Sequence, residues 1–267
     1  MLKRFCFILA VAFFSAVLGQ TNSQPSPVPG QEPDYRNNNC VTCHSKITAP
    51  VVLSNRYFEW HSSVHKDTGV SCEKCHGGNP ATSDKTKAHV GILPYANQQS
   101  TIHFRNVATT CQSCHQGVVN KFIESKHYQN LKTMGLGPSC STCHAHMATE
   151  VVLSPQQISN LCSFCHNTVN GVLPPRPEVA AKAEAVMESL NRADVAVAWA
   201  TSLLREAEMK RRNVAVARLQ VMAAQGSLKD AKLTWHSFNL EATQKRADEA
   251  FSTAMAAKEQ VEKKVGH

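Results

Sequence analysis

Cys40-Val41-Thr42-Cys43-His44 opens a series that continues with Cys72-Glu73-Lys74-Cys75-His76, Cys111-Gln112-Ser113-Cys114-His115, Cys140-Ser141-Thr142-Cys143-His144 and Cys162-Ser163-Phe164-Cys165-His166. Each is C-x-x-C-H, the attachment signature of c-type haem. Two thiols three positions apart can each add to one vinyl group, and the next residue carries its imidazole under the iron. Disulfides or zinc would also use paired cysteines, but neither needs a histidine directly after the second cysteine every time. The series uses every cysteine except Cys6. Five covalently bound haem c groups are therefore expected, with His44, His76, His115, His144 and His166 as proximal ligands.

Between Cys40 and His166 about 25 residues serve each haem, well short of the ~40 that a small domain needs for its own core. Aromatic residues make up only 6% of the 267-residue chain. The porphyrins must supply much of the core. The expected fold class is mainly α, with a pentahaem segment over residues 40–173 made of short helices and loops. Little hydrophobic periodicity of either kind runs through it.

A sixth ligand for each iron must come from elsewhere. Trp60-x-x-Ser63-x-His65 precedes the second attachment site and Phe122-x-x-Ser125-x-His127 precedes the fourth, a short internal repeat. Each reads as a helical turn that packs an aromatic ring on a porphyrin and aims a histidine at an iron. His65 and His127 are thus the first candidates. His146, in His144-Ala145-His146, can reach a neighbouring iron, and His89 and His236 complete the set. His61 and His103 are reserves, as propionate partners or proton donors. Met134 and Met147 would raise the potential as ligands, but histidine is abundant.

Beyond the break at Leu173-Pro174-Pro175-Arg176-Pro177, apolar residues recur at heptad spacing from Val179 through Ala207. Arg211 and Arg218 weaken the stripe. Gly226 reads as a helix end and Ser227-x-x-Asp230 as the cap of a second helix. Residues 174–267 are expected to form a long α-helical hairpin, and so alanine-rich a seam suggests a homo-oligomer. His236 lies on that seam. Ligation by it requires the tail to fold back, to break near Lys210-Arg211-Arg212-Asn213, or to reach a neighbouring subunit.

At the other end, Lys3-Arg4, an apolar run from Phe5 to Leu18 and small residues near Gly19 have the layout of a secretory signal peptide over residues 1–19. The run is short for a membrane span, so a membrane attachment is expected only if this segment is retained as an anchor. Residues 20–39, with four prolines, read as a flexible linker. Export to the periplasm or beyond suits haem attachment. The net charge of +8 is spread thinly, with ten Lys/Arg against six Asp/Glu between residues 40 and 166. Haem propionates, about two per haem, offset it, which argues against a nucleic-acid partner.

These sites, the Ser-x-His approaches, Cys140-x-x-Cys143-His144-x-His146 and the helical tail resemble the multihaem cytochromes related to hydroxylamine oxidoreductase and pentahaem nitrite reductase. The resemblance implies bis-histidine haems stacked into an electron wire, with tail helices that build an oligomer. The Cys-x-x-Cys-Lys site of the nitrite reductases does not occur in the chain. The expected function is therefore a periplasmic or extracellular carrier passing single electrons between redox protein partners. The alternative is a multihaem oxidoreductase acting on a small nitrogen or sulfur oxyanion at one haem with an open axial position.

Overall fold

The computed structural model describes residues 33–146, 151–152, 154–172 and 175–265. The expected leader and residues 20–32 of the expected linker lie outside them, as do Cys6, Met147 and His267. Among the described residues every regular element is a helix.

Ten short helices run through the attachment segment: α1 (Asn39–His44), α2 (Val51–His61), α3 (Val64–Asp67), α4 (Glu73–His76), α5 (Lys85–Ala88), α6 (Val107–Gln112), α7 (Gln116–Ile123), α8 (Lys126–Met134), α9 (Cys140–Cys143) and α10 (Pro155–Cys165). Their starts are fixed locally. Asn38, Asp84, Ser125 and Ser154 each accept a hydrogen bond from a backbone N–H of the first turn, and Pro155 stands where its missing N–H costs nothing. Among the described residues between 33 and 172 the buried hydrophobic side chains are Val41, Trp60, Ala108, Val119, Phe122, Leu131 and Ile158. So sparse a core cannot hold this length of chain by apolar burial alone.

Tyr35 donates to the Lys66 carbonyl at 2.5 Å and meets the Trp60 ring edge-on, while the Asn39 N–H bonds the Pro80 carbonyl. Composition assigns residues 35–39 to the linker; these contacts fasten them to the attachment segment instead.

The tail consists of α11 (Glu178–Met209), α12 (Ala215–Trp235) and α13 (Leu240–Val265). This corrects the hairpin: Gly226 is not a turn but lies inside α12. The chain reverses at Lys210–Val214 and again at His236–Asn239. At the first reversal Arg211 adopts φ 55°, with its N–H on the Glu208 carbonyl and the Arg212 N–H on the Ala207 carbonyl. This is the 6→1 and 5→2 closure that usually takes glycine, here made by arginine. Heptad periodicity holds on both sides of Gly226, so packing overrides the residue's poor helix propensity.

The seam is buried within one chain. Ala193, Ala200, Ala207, Ala224, Ala250, Ala254 and Ala257 are inaccessible and let the three helices approach closely. Arg192–Asp248, Lys232–Asp194 and Arg218–Glu208 bridge their outer edges at 3.0, 2.6 and 2.8 Å. The base of the bundle packs on the attachment segment: Ile158 of α10 joins Val186, Met187 and Leu190 of α11, Ala231 of α12 and Ala247 of α13 in one cluster. Thus the tail rests directly on the helix that carries the fifth C-x-x-C-H.

Candidate haem-binding sites

The four cysteine pairs α1, α4, α9 and α10 carry lie at or beside a helix, and Cys111 lies in the last turn of α6, so each histidine follows on or just past a helical turn. The ten cysteines of the motifs are free thiols, whose sulfurs would become thioethers on haem attachment. Consecutive sites are neighbours in space. The thiol of Cys72, pushed up to about 11 chiefly by burial, also feels Cys40; Cys75 feels Cys111 and Cys114. Cys111 and Cys140 pack against the same small cluster, and Cys143 feels Cys162. The five sites therefore follow one another through the molecule in chain order.

Four of the attachment histidines face a second histidine ring. His44 meets His89 with ring centroids 6.1 Å apart, His115 meets His65 at 6.2 Å, His166 meets His127 at 5.9 Å, and His144 meets His236 at 6.2 Å. His76 lies near His146, whose charge adds to burial in lowering the His76 pKa. The separations fit a bridging iron: two imidazole nitrogens about 2 Å from one metal put their ring centroids about 6.2 Å apart. Among the described residues no group of three or more His, Cys, Asp or Glu converges as a metal cluster. Burial pushes His44, His65, His76, His166 and His236 below the usual imidazole range and His127 down to about 4. Neutral imidazole is the form that ligates metal.

Three local devices present the five partners. His65 and His127 are second residues of α3 and α8, which start at Ser63 and Ser125. Both serines are buried, and each Oγ donates to the carbonyl of the aromatic residue three positions earlier, Trp60 at 2.7 Å and Phe122 at 2.6 Å. The aromatic-x-x-Ser-x-His repeat is thus one structural unit used twice. The rings themselves are occupied in other ways: Trp60 donates its indole N–H to Val70, and Phe122 packs against Tyr128 and Phe238.

His89 and His236 are the residues that cap α5 and α12. Nδ1 of each lies 2.7 and 2.9 Å from the carbonyl four residues back, Lys85 and Lys232 respectively. A carbonyl only accepts, so Nδ1 carries the proton and Nε2 is the nitrogen left for a metal. His146 is turned away from His144 by Ala145 at φ 61°, and its Nδ1 meets the Glu59 carboxylate at 3.2 Å. That carboxylate–imidazole pairing is the usual outer support of a metal-bound histidine.

His103 and His61 stand apart from these pairs. His103 is buried against Phe104 and Tyr95, centroids 4.4 and 6.2 Å away, and its Nδ1 accepts from the Arg105 N–H. His61 is exposed and lies 5.8 Å from the Tyr57 ring. Sequence reasoning did not anticipate Glu59, whose pairing partner is 87 positions away, or Ala145, an unremarked alanine with a left-handed backbone. Phe238 was likewise missed: it stands at φ 57° and meets His127 edge-on at 4.2 Å.

The family described as cytochrome c554 and c-prime matches residues 19–77. The C-type polyheme cytochrome OmcB of Geobacter sulfurreducens is 29% identical over 156 residues, covering 54% of this chain and 19% of its own. OmcC of the same organism is 29% identical over 171 residues, covering 61% of this chain and 19% of its own. The multiheme cytochrome MtrA of Shewanella baltica is 27% identical over 129 residues, 48% of this chain and 36% of its own. The chain spans about a fifth of the length of the first two and about a third of the last. No solved structure matches. Together with the repeated attachment motif, these are likenesses to multihaem c-type cytochromes.

Proposed function

We propose that the chain is an exported pentahaem electron carrier whose five irons are all held by two histidines: His44 with His89, His76 with His146, His115 with His65, His144 with His236, and His166 with His127. The observation that carries this reading is the pairing of attachment histidines with second histidines at iron-bridging separation. When bound, the group supplies an iron that changes oxidation state by one electron, at low potential where methionine is not a ligand. The residues' part is to hold both axial nitrogens still, since ligation that changes little between states needs little rearrangement. The chain-order succession of sites supports stepwise passage between a donor protein and an acceptor protein. With a second histidine beside each site, no axial position is reserved for an oxyanion substrate.

The reading keeps the kinship with the hydroxylamine oxidoreductase group, on the ground of a multihaem segment followed by a helical tail. Export rests on the leader at residues 1–19; among the described residues no helix is long and apolar enough to cross a membrane. Self-association belongs to it as well, and with the seam enclosed in one chain a second copy would meet the outward residues Val195, Trp199, Leu219 and Met222, which sedimentation velocity measures. Pyridine haemochrome and intact mass on the holoprotein test the haem count, with five expected. Electron paramagnetic resonance should find only low-spin ferric haem, and stoichiometric carbon monoxide binding by the reduced protein would overturn the carrier reading.

A further inference from the structure

The reversal between α12 and α13 touches two sites at once. His236, at the end of α12, lies beside His144, and two residues further on Phe238 sets its ring 4.2 Å from that of His127, at 77° to it. The reversal is fastened along its length. The Phe238 N–H meets the Trp235 carbonyl at 3.0 Å, Ser237 Oγ donates to the Thr234 carbonyl at 2.7 Å, and Asn239 Oδ1 accepts from the Ala242 N–H at 3.0 Å. Phe238 itself stands at φ 57°, a backbone conformation that glycine or asparagine takes readily and a bulky side chain does not. A residue held in such a conformation points to a role for what its side chain touches. The ring leans on Phe122, 6.1 Å away, and on His127. No hydrogen bond fixes the His127 ring among the described residues, whereas Nδ1 of His89 and of His236 is held by a backbone carbonyl.

The paired rings differ in how they face each other. His127 and His166 cross at 70° and His65 and His115 at 64°, while His144 and His236 lie 12° from parallel. Axial ligation is one of the levers by which a protein sets the potential of a haem. Parallel imidazoles act on the same iron π orbital and split it from its partner, which stabilises the ferric state. Crossed imidazoles act on both orbitals alike and leave them close in energy. We propose that Phe238 is a positioning residue for the fifth site: its ring holds His127 crossed to His166, which sets that iron's low-spin state apart from the fourth's and raises its potential. The proposal rests on ligation of the fifth iron by His127 and His166. Because His236 and Phe238 share one four-residue reversal, a single loop then presents the ligand of the fourth iron and orients the ligand of the fifth.

The test is electron paramagnetic resonance of the fully oxidised holoprotein, where crossed rings give a strongly anisotropic low-spin signal at low field and parallel rings a rhombic one. Phe238→Ala should move the intensity of one haem per chain from the first signal to the second. In a dithionite titration followed by the same signals, that haem should be reduced at a lower potential than in the parent. Phe238→Asn, which suits the left-handed backbone but lacks the ring, should do the same, and Phe238→Tyr should keep the parent spectrum. The His65–His115 site should retain its anisotropic signal in every variant, and the His144–His236 site its rhombic one. A parent-like spectrum in both ringless variants, whatever happens to their stability, makes Phe238 a packing residue and overturns the proposal. An equal change in Phe238→Tyr overturns it too, as does loss of the rhombic signal, since the reversal would then act through His236. High-spin or carbon-monoxide-binding haem in the parent is a failure of the bis-histidine reading instead. With five low-spin haems in the parent, the variants test the ring of Phe238 alone.

Discussion

Single atoms decide how the paired histidines are presented. The Nδ1 bonds of His89, His236 and His146 each commit the ring to one tautomer and leave Nε2 forward, and they do so with a helix-end carbonyl twice and a carboxylate once. The Lys232 carbonyl is among those a helix leaves unpaired at its last turn, so one bond satisfies the helix and orients the ligand, whereas the Lys85 carbonyl also accepts from the His89 N–H. His236→Ala should leave every haem attached while one per chain becomes high-spin or binds carbon monoxide, readable by resonance and by difference spectra. A wholly low-spin spectrum with weakened helices would make His236 a packing residue. Ser125 is buried, donates to the Phe122 carbonyl and accepts from the Tyr128 N–H at 3.0 Å. Ser125→Ala removes the cap of α8 and leaves that N–H unmet, so it should cost about 1–2 kcal/mol in denaturant unfolding. Ser125→Asn should restore part of it.

Helix boundaries separate what the sequence makes readable from what it does not. The heptad stripe is legible because burial in a bundle imposes a period on every turn: Ala183, Val186, Leu190, Ala193, Val197, Ala200, Leu204 and Ala207 are all buried. The Ser-x-His units are legible because a cap is a local device repeated with its spacing intact. Reversals are harder to read. Gly226 looks like a stop, yet no neighbour or backbone angle requires glycine there, while Arg211, which looks like any helical arginine, holds the left-handed turn. The contrast is measurable. Gly226→Ala should raise stability by about 0.5–1 kcal/mol because an exposed helix interior prefers alanine. Arg211→Gly should raise it by about 1 kcal/mol because the turn then fits its residue. A loss of stability in either would place the helix end elsewhere. The pairing of particular histidines lies beyond local patterns, since His236 reaches His144 only after the tail has reversed between α11 and α12.

At the scale of the molecule the chain has two kinds of interior. The bundle buries its own apolar seam, whereas the attachment segment buries few side chains and depends on its bound groups. Expressed without haem attachment, the protein should therefore keep helical circular dichroism from α11, α12 and α13, of 32, 21 and 26 residues, and lose order before residue 175. Limited proteolysis of that apoprotein should leave a resistant fragment beginning near Glu178. Its complete digestion would mean that the bundle depends on α10 and the haem sites for stability.

The histidine pairs are interlaced along the chain, and this imposes a schedule on biogenesis. The partners of His115 and His166 come from upstream, at His65 and His127, so these two sites can be completed as soon as their own cysteines have been loaded. His44 must wait for His89. His76 must wait until the chain has been made past the fourth site to His146, and His144 until α12 has emerged with His236 at its end. If the proposed export and histidine ligation hold, the fourth site is the last to mature during secretion, and a ribosome that stops between α11 and α12 would release a product loaded at every motif but unfinished in its interior. The tail acts as a latch, inserted after everything upstream is in place.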